Sequence, residues 1–366
     1  MSHPTPLTIG VSLTAALAAL LTTAPQPAVA QQAETFRLGG DAVAIYNLAG
    51  EVRVRGGSGP EVAVTVRPGG AEASRLAIQM GRVDTYQRAF GSVMALRVVY
   101  PSETIVYRES GGDTEIRVRE NGTFFGYSEA PGYREGDRVR IRSSGSGVEA
   151  HADLEVSVPE GRSVFIALAV GEVRIENVAG RLTVDVASAN VHADGGRGDF
   201  VLDTGSGDVT VTEHEGDLIC DTGSGNVTLT TVSGNELNFD TGSGDVTGHS
   251  IRGTTILADT GSGDVELRGI RADRITADTG SGDVTLEFVT GPRDILVDVG
   301  SGDVRLKLPE SYSAQVEIDT GSGDISTDIP IEVTEISEDQ LIGRIRDGSG
   351  RLRIDTGSGD VRIEQG

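Results

Sequence analysis

From Phe200 onward, apolar and polar residues alternate in short bursts that recur with a nearly fixed step. Apolar pairs two residues apart stand at Phe200/Leu202, Leu218/Cys220, Leu237/Phe239, Ile256/Ala258, Ile275/Ala277, Ile295/Val297, Val316/Ile318 and Leu352/Ile354. A second set follows at Val209/Val211, Val227/Leu229, Val265/Leu267, Val284/Leu286, Val304/Leu306 and Val361/Ile363. A spacing of two puts both members of a pair on one face of a strand, so each repeat predicts two short strands. Between the two sets runs Asp-Thr-Gly-Ser-Gly-Asp/Asn, beginning at Asp203, Asp221, Asp240, Asp259, Asp278, Asp319 and Asp355, with Asp298-Val-Gly-Ser-Gly-Asp303 as a variant. Successive copies lie 18, 19, 19, 19, 20 and 21 residues apart, then 36, a gap that reads as about two further coils. Asp185-Val-Ala-Ser-Ala-Asn190 and Ala167-Leu-Ala-Val-Gly-Glu172 continue the grid backwards as decayed copies.

No such repeat can bury its apolar face alone, so neighbours must stack. The pattern predicts an all-β fold: a β-solenoid of about ten coils of 18–21 residues, with two strands per coil. A flattened two-sided coil fits best, and a three-sided coil has a similar length. Residues 161–366 form the regular part. Residues 31–160 form an irregular β-rich N-terminal region, with strands at Val43–Tyr46, Glu51–Val54, Val62–Val66 and Leu96–Tyr100. Gly50-Glu-Val-Arg-Val54 echoes Gly171-Glu-Val-Arg-Ile175, which suggests degenerate early coils. An insertion is expected at about 106–147, as a hairpin or a mobile loop. Its Phe124, Phe125 and Tyr127 form the expected exposed aromatic patch, with packing onto the solenoid as the competing expectation.

Composition narrows the function classes. Residues 1–30 carry no Asp, Glu, Lys or Arg, and the apolar run Ile9–Leu21 leads to Pro27-Ala28-Val29-Ala30. That reads as a cleaved signal peptide, so the protein is expected to be exported: periplasmic, secreted or loosely attached to the cell surface. No later stretch is expected to span a membrane as a helix. Cys220 is the only cysteine and occupies a core position of the repeat, which excludes an intrachain disulfide. The formal net charge is -24, so nucleic acid and anionic membrane surfaces are unfavourable partners, and cations or basic partners are favoured.

The repeated turn invites four chemical readings. Asp-Thr-Gly-Ser also occurs at the catalytic Asp of aspartic proteases, but those need two such residues sharing one proton, and a ladder of equivalent copies does not supply that. The structural reading has the glycines providing positive φ and the Asp and Ser side chains accepting turn amides. Val299 in place of Thr marks that site as packed, and Asn226 in place of the second Asp keeps an acceptor without charge. Calcium is the third reading. Carboxylates stacked about 4.8 Å apart repel by about 0.9 kcal/mol per pair even in water, and a bridging divalent ion would relieve this. Its candidate ligands are Asp203, Asp208, Asp221, Asp240, Asp245, Asp259, Asp264, Asp278, Asp283, Asp303, Asp319 and Asp324. The fourth is a polysaccharide-active β-helix, for which the unpatterned spots are His249 and His214 with Glu213 and Glu215, expected as solvated turn residues.

Leu154–Pro159, Gly171-Glu-Val-Arg-Ile-Glu-Asn-Val-Ala-Gly180, the Asp-Thr-Gly-Ser-Gly-Asp run and Ile342–Ile354 together resemble the bacterial β-strand-repeat domain family of unknown function labelled putative adhesin. The resemblance covers about Ala42 to Ile363. It implies a β-solenoid in an exported or envelope-associated protein, without established catalytic residues. The expected function is therefore a non-catalytic scaffold or adhesin-like protein that takes no cofactor and binds a protein or glycan. A calcium-dependent repeat protein and a polysaccharide-active enzyme are the alternatives.

Overall fold

The computed structural model describes residues 33–85, 87, 89–125 and 135–366. The expected signal peptide at residues 1–30, and Tyr127, lie outside the described residues. The strand Val227–Thr241 pairs in parallel with Val246–Thr260 along almost its whole length, and Val246–Thr260 with Val265–Thr279 in turn. Each residue thus faces its equivalent one repeat later, which is the register of a β-solenoid. The inward rows of one coil, such as Val227, Leu229, Leu237 and Phe239, are at most 1% exposed and stack on the same rows of the next. At roughly 25 cal/mol per Å2, such apolar burial is the main force holding one coil on another. Cys220 is one of these core residues, and burial raises its thiol pKa well beyond the usual range.

Each coil turns three corners. Gly-Ser-Gly makes the first. In six successive coils the second is a left-handed residue: Asn177, Gly195, Glu213, Thr231, Ser250 and Gly269 have φ between 52° and 71°. The third follows one inward residue later, so a short third edge joins the two strand sides. His214, Val232 and Ile251 occupy that edge in register, and all are buried.

The N-terminal region belongs to the same stack. Ala42–Gly57 pairs in parallel with Arg162–Glu176, with Gly50 opposite Gly171. Its other edge is covered by Ser92–Val99 and His151–Pro159, onto which Ala77–Asp84, Val62–Gly69 and Glu34–Leu38 add antiparallel strands. Antiparallel additions leave no coil-like edge free, so this end closes the stack. Thr104–Val106, Thr114–Val118, Asp137–Arg142 and Val148–Glu149 form a separate four-stranded sheet, in which Thr114–Val118 and Asp137–Arg142 pair antiparallel.

The last repeats depart from chain order. The gap after Asp319 does not hold two further coils. Glu332–Ile336 and Gln340–Ile345 form an antiparallel hairpin against Ala314–Thr320. Gly350–Thr356 then enters between Asp294–Val299 and Ala314–Thr320, and Val361–Gln365 enters between Val304–Leu308 and Ile325–Thr327. The full repeat thereby gains two neighbours. The incomplete coil at Ile325–Thr327, followed by Pro330, is left at the edge.

Candidate binding face

The repeated turn separates into rows with different physical roles. The Thr row is structural. Thr241 is fully buried; its Oγ1 donates to the Gly225 carbonyl of the preceding coil (2.8 Å) and accepts from the Gly244 amide of its own turn (3.0 Å). Thr222 and Thr260 repeat both bonds. Val299 lacks the hydroxyl, and Gly302 N bonds instead to Ser358 O.

The second Asp row is structural as well. Each carboxylate or amide oxygen accepts the backbone N–H of its counterpart in the next coil, from Asn190 through Asp208, Asn226, Asp245, Asp264, Asp283 and Asp303, at 2.8–3.0 Å. Asp360 then accepts from Asp324. Asn serves as well as Asp because the bond needs only an oxygen.

The glycines correct the expectation of positive φ. The turn glycines do not have left-handed backbones. Coil spacing excludes a side chain: a Cβ on Gly244 would sit 1.9 Å from the Gly225 carbonyl oxygen, and one on Gly242 2.4 Å from Gly223 O.

The first Asp row behaves differently. Asp185, Asp203, Asp221, Asp240, Asp259, Asp278, Asp298, Asp355 and Asp319 form one continuous ladder in that spatial order. Contrary to expectation, these carboxylates do not accept amides of their own turns. Gln87 reaches Asp185 (3.2 Å) and Gln340 reaches Asp319 (3.4 Å) at the two ends. Partial burial, then the charge of Asp221, raises Asp203 to about 6. Burial also raises Asp221, Asp240, Asp259 and Asp278, and for the last three a neighbouring carboxylate adds to it.

Two residues before these aspartates, on the same outer face, stand Thr183, Val201, Ile219, Asn238, Leu257, Thr276, Leu296, Arg353 and Glu317 in the same spatial order. Ile219 and Leu296 are 42% and 40% exposed. A mixed row, with Val201, Ile219, Leu257 and Leu296 as its apolar members, thus runs beside an acidic one on the parallel sheet.

The same face continues toward the N-terminus, where it is covered. The register carries the Asp row into Ala167 and Tyr46 and the apolar row into Phe165 and Ala44. Tyr46 packs edge-on against Phe124 and Phe165 at 5.5 and 5.6 Å, and Phe90 packs against Phe165. Phe124 is 2% exposed and Phe125 packs beside it, so for these two the competing expectation holds: they belong to the second core, which joins the inserted sheet to the solenoid. An outward Tyr46 and Phe165 require such cover, which the repeat pattern alone does not reveal.

The two unpatterned histidines also separate. His249 is exposed. His214 is a core residue, 2% exposed, its ring 4.7 Å from that of Phe200, and neither ring nitrogen has a hydrogen-bond partner. Burial lowers its pKa. Among the described residues, no three His, Cys, Asp or Glu side chains converge as a metal site, and no helix is long and apolar enough to cross a membrane.

This geometry defines an all-β solenoid repeat protein with one acidic-apolar outer face. The Toastrack DUF4097 family model matches residues 108–364, and the chain belongs to that family. Among solved structures, a putative cell adhesion protein from Clostridium sporogenes is similar at 10% identity, over 92% of this chain and 99% of that one, with a TM-score of 0.19. No curated protein matches the chain.

Proposed function

We propose that the protein is an exported, non-catalytic, adhesin-like solenoid that binds a basic protein or a cationic glycan along the face formed by the first Asp row and its apolar neighbours. The carrying observation is the contrast between the two Asp rows. The second row has its oxygens engaged by backbone amides, while the first row keeps like-charged carboxylates aligned without such bonds. From Asp185 to Asp278 the arrangement raises its own carboxylate pKa values, which costs stability at neutral pH, and a cationic partner would offset that cost. The self-covered portion at Tyr46 and Phe165 supports the reading, because there the same face already takes an apolar partner from its own chain. A ladder of equivalent weak sites favours multivalent contact over a single deep pocket.

The test is a binding screen of the immobilised protein against a glycan panel and a set of Arg-containing peptides. It compares wild type with a variant carrying Asp221→Asn, Asp240→Asn, Asp259→Asn and Asp278→Asn. Ligands that bind wild type and lose at least tenfold affinity for the variant support the proposal. Equal binding to both, or turnover of any glycan, overturns it.

A further inference from the structure

The segment Gly350–Gln365 occupies a slot that chain order does not assign to it. Asp294–Val299 and Val304–Leu308 form one wall; Ala314–Thr320 and Ile325–Thr327 form the other. The inserted coil buries Leu352, Ile354, Val361 and Ile363 to 1% exposure or less. It also continues both hydrogen-bonded rows: Thr356 Oγ1 donates to Gly302 O (3.2 Å), Asp360 N to Asp303 Oδ1 (2.8 Å), and Asp324 N to Asp360 Oδ1 (2.9 Å).

The slot also selects its occupant by charge. On the outer surface Glu287 pairs with Lys307 at 3.1 Å and lies 3.8 Å from Arg268. Register places Glu364 opposite Lys307. Glu364 also accepts from Arg305 Nη2 at 2.8 and 3.0 Å, and only 14% of its side chain is exposed. Arg268, Glu287, Lys307 and Glu364 thus alternate in sign along the stack. A coil with a cation at that position would face Lys307 and be repelled.

The inserted coil is tethered by a short connection. Gly348 N and Ser349 N donate to Ser313 Oγ, Asp347 also bonds Ser313, and Arg346 and Gly348 have φ of 54° and 72°. Apart from this tether, the strand pairings of the inserted coil lie with Asp294–Val299, Val304–Leu308, Ala314–Thr320 and Ile325–Thr327, and Asp328 N adds a bond to Ile363 O. A second copy can therefore supply the same coil with the same contacts, and only the tether changes course.

We propose that this slot is an exchange site: Gly350–Gln365 of a second copy of the chain fills it, and a reciprocal exchange links two molecules through coils identical to the intramolecular ones. Exchange of an identical element creates an interface at little cost beyond association.

The test uses full-length chains. Arg305→Cys and Arg362→Cys replace exposed residues that face each other across the slot wall, within the reach of a disulfide between neighbouring strands. The double variant reports the slot itself and closes an intrachain disulfide on mild oxidation. The two single variants, one carrying a mass tag, are then unfolded, mixed at high concentration, refolded and oxidised. The expected result is a disulfide-linked heterodimer resolved by the tag. A pair built the same way at Thr228→Cys and Thr247→Cys, neighbours in coils that follow chain order, yields at least tenfold less. A closed double variant with no heterodimer, equal heterodimer from the control pair, or a double variant that does not close would each overturn the proposal.

Discussion

The Thr row offers a perturbation whose magnitude can be worked from single bonds. Thr241→Val keeps shape and burial but removes one hydroxyl, which donates to Gly225 O and accepts from Gly244 N. Both glycines are buried, so water does not readily replace the lost partner. Leaving a buried polar group unsatisfied costs about 1–3 kcal/mol, and we expect about 2 kcal/mol for the pair. The reverse change is available in the same molecule. Val299→Thr places a hydroxyl where the preceding coil offers the Gly282 carbonyl and should stabilise by about 1 kcal/mol. Because repeat arrays can unfold in parts, the assay should be local as well as global. Urea denaturation reads the total change. Amide hydrogen exchange at Gly244 should accelerate roughly 30-fold in Thr241→Val, the equivalent of about 2 kcal/mol. If Thr241→Val is as stable as wild type and Gly244 exchanges no faster, the Thr row is not what ties the coils together at the turn.

Other expectations follow from the same geometry. The raised carboxylates of Asp203, Asp221, Asp240, Asp259 and Asp278 bind protons in the folded chain at a pH where unfolded aspartates, near pKa 3.9, do not. The contribution of Asp203 therefore adds stability as pH falls from about 7 toward 4 and is lost as pH rises through about 6, and the other four act in the same direction. In melts across that range, the change should be smaller in the four-residue Asn variant. His214 acts in the opposite sense: its lowered pKa costs stability as pH drops below its unfolded value near 6.5. His214→Val matches Val232 of the next coil and should stabilise by about 1 kcal/mol while removing that acid sensitivity, measured by melts at pH 7 and pH 5. Thr231 is β-branched in a left-handed corner that Gly269 fills elsewhere, so Thr231→Gly should gain about 0.5–1 kcal/mol in urea denaturation. Asp264→Asn should be nearly neutral, while Asp264→Ala removes the acceptor of Asp283 N and should cost about 1 kcal/mol in the same assay.

Most of the stack is legible in the sequence because inward residues repeat with period two and the turn repeats with them. Val299 and Asn226 alone separated a packed position from an acceptor position, and the hydrogen bonds agree. The glycine rationale was not legible: the steric demand comes from the neighbouring coil's carbonyl, a distance that exists only once coils stack. His214 was missed because the alternation breaks at the left-handed corner, although aligning it with Val232, Ile251 and Ile270 gives the signal. Chain order failed as a guide to spatial order because every coil carries nearly the same pattern and fits nearly every slot. Only outer charges such as Glu364 and Lys307 distinguish one place from another. The cover over Tyr46 and Phe165 was hidden for a related reason, since outward aromatics in a strand do not say what packs on them.

On the function proposed above, the first Asp row binds a cationic partner and holds neither the coils together nor calcium. The most direct measurement is the melting temperature of wild type and of the Asp221, Asp240, Asp259, Asp278→Asn variant in three conditions. These are millimolar calcium, excess chelator, and excess chelator with a peptide of alternating Arg and Leu. A ligand that binds the folded chain alone must raise its melting temperature. The expected result is a rise with the peptide in wild type only, and the same melting temperature with calcium as with chelator. A calcium-dependent rise in wild type that the variant loses, or no response to the peptide, would contradict it.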